Sequence, residues 1–148
     1  MGALAYKQFL VPFLQDWEVF SPTPYWDNKQ WSWGYGTRVP GSVDSPASRP
    51  TGTITRAQAV QDAITHTQTD YIYLKRLITV PLRPQQWAAL LSFSYNEGPG
   101  NADNLVANIN AQDMAALETQ WKKYVYAGGE YDPDLADRRN AEWVLYTS

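Results

Sequence analysis

One short segment of alternating residues limits the folds open to this chain. Residues 31–36 read Trp-Ser-Trp-Gly-Tyr-Gly, with large aromatic side chains at every second position, which is the periodicity of a β-strand. Two prolines shortly before it stop any helix that arrives from the N-terminal side. Asp27-Asn28-Lys29, which lies between the prolines and the alternating segment, is typical of a turn. We therefore predict a small antiparallel hairpin or sheet between residues 21 and 38.

Helical patterns lie on both sides of this element. Before it, apolar residues recur at helical spacing, namely Tyr6, Phe9, Leu10, Phe13, Leu14 and Trp17. Pro12 falls inside this pattern, so we expect the helix to begin near Val11 or to kink at the proline. A loop rich in proline, glycine and serine occupies residues 40–52.

The rest of the sequence predicts further helices, separated by capping and breaking residues. Thr55 and Gln58 form a capping box at the start of the first one. A second helix is expected from Pro84 to a stop at Gly98, and a short third one near 102–109. A fourth is expected from about 112 to 125, with Gly128-Gly129 ending it, and a last one from about Pro133 to Tyr146. The fold class is therefore α+β, with an N-terminal helix and a small sheet before a mostly helical remainder. We expect a single domain over 1–148, with a β-containing lobe at about 18–55 and a helical lobe at about 56–148 plus 3–17.

Composition narrows the function classes. The net charge is −3 and the sequence pI is near 5.0, which gives no basic surface for a nucleic acid. No cysteine is present, and the single histidine, His66, lies in a polar stretch that predicts a surface position. We therefore expect neither a metal site nor a cofactor, and carboxylates should carry any chemistry. The sequence also predicts no membrane span and no signal peptide.

Glu18 and Asp27 are the carboxylates best placed for such chemistry. Hydrolysis of a glycosidic bond needs one carboxyl group to protonate the leaving oxygen and another to activate water or attack carbon. Glu18 follows the first apolar helix, between Trp17 and Phe20, while Asp27 lies in the polar turn. A helix end and a neighbouring hairpin can face each other across a cleft. On these residues alone, the pair is one of many that 15 acidic residues can form.

Three ordered motifs extend this pattern. Glu18, Asp27 and the segment 31–37 resemble the signature of the phage-type lysozymes, glycoside hydrolase family 24, in which a Glu, an Asp and a Thr precede a Gly-x-Gly strand. Residues 86–98 (QWAALLSFSYNEG) are similar to the family's central helix, and 138–143 (RRNAEW) to its closing segment. The resemblance covers about residues 10–146. It implies a lysozyme-like fold and a muramidase that cuts peptidoglycan between N-acetylmuramic acid and N-acetylglucosamine by general acid/base catalysis, with inversion.

The resemblance also implies a role for individual residues. Glu18 would be the proton donor, Asp27 would activate water, and Ser32 would hydrogen-bond that water. Trp33, Tyr35, Tyr95 and Asn104 would contact substrate, and Arg138 or Arg139 would form an ion pair with Glu18. This chain departs from the family in having Val19 after the acid, Ser32 instead of Thr, and one residue fewer before Ser32. Because one residue reverses the face of a strand, the turn must compensate to bring Ser32 to the side of Asp27.

Other functions are compatible with the same residues. A lytic transglycosylase would use the same acid, and a non-catalytic module could bind cell-wall sugars through the tryptophans. An interaction domain without a sugar partner would leave the three motifs unexplained. As a lysozyme, the protein is expected to be a monomer with bacterial peptidoglycan as its partner. It would be made in the host cytoplasm and act on the bacterial cell wall.

Overall fold

A computed structural model describes residues 5–148. The element order is α1 (Lys7–Trp17), β1 (Ser21–Trp26), β2 (Trp31–Gly34), β3 (Thr37–Arg38), α2 (Arg56–Leu77), α3 (Pro84–Glu97), α4 (Pro99–Asn110), α5 (Met114–Trp121), β4 (Tyr126–Ala127), β5 (Glu130–Tyr131) and α6 (Pro133–Tyr146). This confirms the predicted α+β class. Among the described helices, none combines the length and the apolar character needed to cross a membrane.

The chain forms two compact units. The hairpin unit is Val11–His66, and the helical unit comprises, among the described residues, 5–10 and 67–148. The hairpin unit is therefore wider than the β-containing lobe predicted at about 18–55, because it includes much of α1 and the first half of α2. The single-domain organisation stays a prediction.

The first helix continues through its proline. α1 begins at Lys7 and includes Pro12, so the expectation that it begins near Val11 is wrong. Proline has no N–H, and one intrahelical hydrogen bond is therefore lost. Tyr6, Leu10 and Leu14 are nevertheless buried, and burial of apolar surface at this spacing favours the helix despite that loss.

A three-stranded antiparallel sheet with the order β1-β2-β3 organises the hairpin unit. Trp26 pairs with Trp31, and the four residues between them form the turn. Tyr35, Ile54 and Ala59 form a small core, against which Phe20, Trp33 and Val60 pack. The predicted capping box opens α2, since Thr55 and Gln58 exchange hydrogen bonds of 3.0 and 3.1 Å. The sheet is thus held next to the first half of α2.

In the helical unit, α3 is the central element. Every residue from Ala88 to Ser94 is buried, and α3 packs against α4 and α6. Pro84 occupies its first turn and Gly98 ends it with a φ of 92°, both as predicted. The last helix runs from Pro133 to Tyr146, also as predicted, with Asp132 as its N-cap.

One element of this unit was predicted wrongly. The helix expected at about 112–125 ends at Trp121, and the chain then forms a hairpin of β4 and β5. Gly128 and Gly129 have φ values of 58° and 82°, which suit a two-residue turn between antiparallel strands. The two glycines therefore connect strands, instead of ending a helix.

A substitution at Gly34 tests how closely the sheet and α2 approach each other. Its φ is +59°, and a Cβ at this position would lie 2.9 Å from the Cβ of Ala59. We expect Gly34→Ala to lower the free energy of unfolding by about 2–5 kcal/mol, the sum of a left-handed backbone penalty and a steric overlap. Urea denaturation measures the change.

Gly41→Ala is the matched control. Gly41 has a φ of +71°, and a Cβ at this position would have nothing within 4 Å of it, so the variant should lose only about 1–2 kcal/mol. Equal losses in the two variants would contradict the close contact between Gly34 and Ala59.

Candidate active site

Glu18 stands at the end of α1, where the helical hydrogen bonding is still in place. Its backbone N–H donates to the carbonyl of Leu14 at 2.7 Å, and the residue is half-buried. Phe20, two residues further along the chain, packs against Tyr35 with 5.5 Å between the ring centroids. The carboxyl group is therefore carried on a rigid helix end and is partly shielded from solvent.

Asp27 is held by its own turn. Its Oδ1 accepts hydrogen bonds from the backbone N–H groups of Lys29 (3.2 Å) and Gln30 (2.9 Å). Its backbone N–H donates to the carbonyl of Gln30 at 3.0 Å, and Asn28 takes a φ of 81° to close the turn. An aspartate that accepts backbone N–H groups two and three residues ahead is typical of such turns. The turn thus orients the carboxylate.

Ser32 faces Asp27 despite the shortened spacing. Its Oγ donates to Asp27 Oδ2 at 2.7 Å and accepts from Gln30 Nε2 at 3.1 Å. The side chain is fully buried. The turn therefore compensates for the missing residue, as required. A buried hydroxyl whose proton is directed at Asp27 is better suited to orient the carboxylate than to hold a water molecule, the role that the family resemblance implies.

Tyr25 lies beside Ser32 and Asp27, and sequence reasoning missed it. It lies directly opposite Ser32 in the β1–β2 pair, so the two side chains share a face of the sheet. Burial raises the pKa of its phenol, and the negative charges of Glu18 and Asp27 raise it further. The signal available in the sequence was its position two residues before Asp27, at the end of the predicted hairpin strand that leads into the turn.

The two aromatic residues predicted to bind substrate in this unit differ in environment. Trp33 is half-buried against the small core, and its Nε1 is buried without an acceptor among residues 5–148. Tyr35 is 3% exposed and forms part of that core. The burial of Tyr35 favours a packing role, whereas Trp33 retains an unused donor. Contact of either residue with a sugar stays a prediction.

Tyr95 and Asn104 lie in the helical unit. Tyr95 is half-buried near the end of α3, and Asn104 is exposed on α4, where its Nδ2 donates to the hydroxyl of Tyr124 at 2.9 Å. The substrate contacts of Tyr95 and Asn104 stay predictions.

No group of three or more acidic or histidine side chains in the described chain is arranged to hold a metal ion.

Arg138 and Arg139 are buried on α6 around a second carboxylate. Glu142 is fully buried and accepts hydrogen bonds from Arg139 Nη2 (2.9 Å), Ser92 Oγ (2.6 Å) and Trp121 Nε1 (3.1 Å). Arg138 Nε lies 3.4 Å from the same carboxylate. The buried Glu142 carboxylate is thus paired with guanidinium groups and satisfied by hydrogen bonds, as burial of a charge requires. An ion pair of either arginine with Glu18 stays a prediction.

Glu97 adds a further acid beside this cluster. Its Oε1 lies 3.8 Å from Arg139 Nη1. Burial raises the pKa of Glu97, although the positive charge of Arg139 opposes the shift. The negative charge of Glu142 adds to the rise in the pKa of Glu97, and the positive charge of Arg138 opposes it as well.

The contact between Asp27 and Ser32 can be measured through stability alone. In a double-mutant cycle of Asp27→Ala and Ser32→Ala, we expect a coupling energy of about 1.5–3 kcal/mol, the range for a hydrogen bond to a charged group. Urea unfolding of the single and double variants gives this energy. Asp16, an exposed acid of α1, supplies the control cycle with Ser32, which should give a coupling near zero. A coupling of Asp27 and Ser32 no larger than in that control would contradict the geometry.

Comparison with known proteins places these features in one family. The family model described as phage lysozyme matches residues 15–142. A SAR-endolysin of Escherichia phage Mu is 33% identical over 78 residues, which span 51% of this chain and 46% of that protein. The match therefore covers about half the length of this relative.

Solved structures share the fold. The muramidase domain of SpmX from Asticaccaulis excentricus superposes with a TM-score of 0.81 at 18% identity, covering 95% of this chain and 96% of that one. A mutant of the P22 lysozyme gives a TM-score of 0.76 at 23% identity, covering 100% and 98%. The family match includes Glu18, Asp27, Ser32 and both arginines of α6. By this match, the chain belongs to the phage lysozyme family.

Proposed function

We propose that this protein is a muramidase that hydrolyses the glycan of bacterial peptidoglycan between N-acetylmuramic acid and N-acetylglucosamine. The observation that carries the proposal is the fixed Asp27 carboxylate in the same unit as Glu18. Two carboxyl groups in different environments are what glycoside hydrolysis needs. Membership of the phage lysozyme family supports the substrate class.

In this mechanism Glu18 is the general acid. It protonates the glycosidic oxygen as the bond to the anomeric carbon breaks. It directly follows the last residue of α1 and is half-buried, so its carboxyl group is partly shielded from water.

Asp27 is the general base that activates the attacking water. An ionised carboxylate offers about four acceptor positions, and three of them are filled by Lys29 N–H, Gln30 N–H and Ser32 Oγ. The remaining position, on Oδ2, can accept a hydrogen bond from water. Attack by that water on the face opposite the leaving group inverts the anomeric centre. Ser32 is the positioning residue that orients Oδ2.

Substrate contacts complete the proposal. Trp33, Tyr35, Tyr95 and Asn104 are the positions that the family resemblance assigns to contacts with the sugar. Flat aromatic faces pack well against the apolar faces of sugar rings. The protein acts on the bacterial cell wall as a monomer.

Replacing the acid tests this proposal. We expect Glu18→Gln to reduce clearing of purified peptidoglycan by at least roughly 10²–10⁴-fold, because glutamine keeps the shape of the side chain and has no proton to donate as an acid. Asp16→Asn is the matched control, since it removes an exposed carboxylate of the same helix two residues earlier. That variant should retain wild-type activity.

Two outcomes would contradict the assignment. Clearing by Glu18→Gln at the wild-type rate would remove Glu18 from the chemistry. A wild-type protein that binds peptidoglycan and releases no fragments would be a sugar-binding module.

A further inference from the structure

Tyr25 occupies a position that the proposed mechanism does not yet use. Its Cα is paired with that of Ser32, and Ser32 in turn donates to Asp27. Tyr25 and Ser32 therefore share a face of the sheet, and the hydrogen bond from Ser32 joins Asp27 of the turn to them. Tyr25 is 38% exposed, so a bound ligand can reach this residue.

A glycine lies beside the phenol of Tyr25. Gly36 has a φ of +94°, and a Cβ there would lie 3.8 Å from the hydroxyl of Tyr25. A larger side chain at this position would contact the phenol oxygen directly. The backbone of Gly36 therefore borders the hydroxyl of Tyr25.

The location of the phenol relative to the two carboxylates defines what it can touch. Burial raises the pKa of the Tyr25 phenol, and the negative charges of Glu18 and Asp27 raise it further. The phenol therefore keeps its proton at neutral pH and remains a hydrogen-bond donor.

In an inverting hydrolysis, the sugar that is attacked must lie between the acid and the base. A group that is near both carboxylates is therefore near that sugar. Resting on the proposed function, we propose that Tyr25 is a substrate-binding residue whose hydroxyl donates a hydrogen bond to an oxygen of the amino sugar that is attacked. The class of ligand is a β-linked N-acetylated amino sugar, which offers hydroxyl, ring and acetamido oxygens as acceptors.

Tyr25→Phe isolates this hydrogen bond, because it keeps the ring and removes only the hydroxyl. We expect kcat/KM on soluble peptidoglycan fragments to fall by about tenfold, the equivalent of one hydrogen bond. The pH–activity profile should keep its shape, since the phenol contacts the substrate and does not act through the carboxylates. Thermal unfolding should stay close to that of the wild type.

Tyr126→Phe is the matched control. Tyr126 is an exposed tyrosine of β4, with no place in the proposed machinery, and its loss of a hydroxyl should leave kcat/KM unchanged.

A binding measurement separates this inference from the proposed function. In the Glu18→Gln background, which is designed not to turn over, the affinity for chitotetraose should fall by about tenfold when Tyr25→Phe is added. If the wild-type protein does not cleave peptidoglycan, the proposed function is overturned. The ratio of the chitotetraose affinities of Glu18→Gln with and without Tyr25→Phe would still decide the role of Tyr25.

Three results would overturn the inference. These are an unchanged affinity on adding Tyr25→Phe, no chitotetraose binding by either protein, or a Tyr25→Phe variant whose pH profile shifts while its affinity stays the same. The last result would mean that the phenol acts through Glu18 or Asp27.

Discussion

The hydrogen bonds to the Asp27 carboxylate link the local fold of the hairpin to the proposed chemistry. Two backbone N–H groups of the turn and the buried hydroxyl of Ser32 converge on its two oxygens. The same bonds close the turn and set the register of β1 against β2. A carboxylate with this much support is held in one orientation, which is the requirement for directing a water molecule at a single carbon atom.

The rest of the hairpin unit keeps this arrangement in place. Gly34 allows β2 to approach Ala59 of α2 more closely than any larger residue would, and the small core around Tyr35 and Ile54 lies beside that contact. In the helical unit, Glu142 has a corresponding structural role, since it gathers two arginines, a serine and a tryptophan around a single buried charge. Removing one member of such a cluster leaves charge or polar groups unpaired in a dry interior.

Much of the fold could be predicted from local patterns, because those patterns describe interactions between near neighbours in sequence. The capping box of Thr55 and Gln58, the stop at Gly98 and the limits of α6 depend on residues a few positions apart. The Gly128-Gly129 hairpin was missed because a glycine pair suits both a helix end and a tight turn. The flanking Tyr126 and Tyr131, which pair across the strands, were the discriminating signal.

The candidate site could be predicted in part. The family pattern identified Glu18, Asp27 and Ser32, but spacing alone could not show that the Oγ of Ser32 is directed at Asp27. That depends on the turn conformation and on the left-handed backbone of Asn28. Tyr25 was missed because a tyrosine in a strand is usually a packing residue. Its relation to both carboxylates arises only when α1 and β1 are folded together.

The central claim is that Asp27 directs water to the face of the sugar opposite the bond that breaks. The configuration of the first sugar released from soluble β-linked peptidoglycan fragments, followed by proton NMR before mutarotation, tests this claim most directly. Inversion predicts that the new reducing end appears as the α-anomer. Initial release of the β-anomer, or of a 1,6-anhydro end typical of a lytic transglycosylase, would contradict the account.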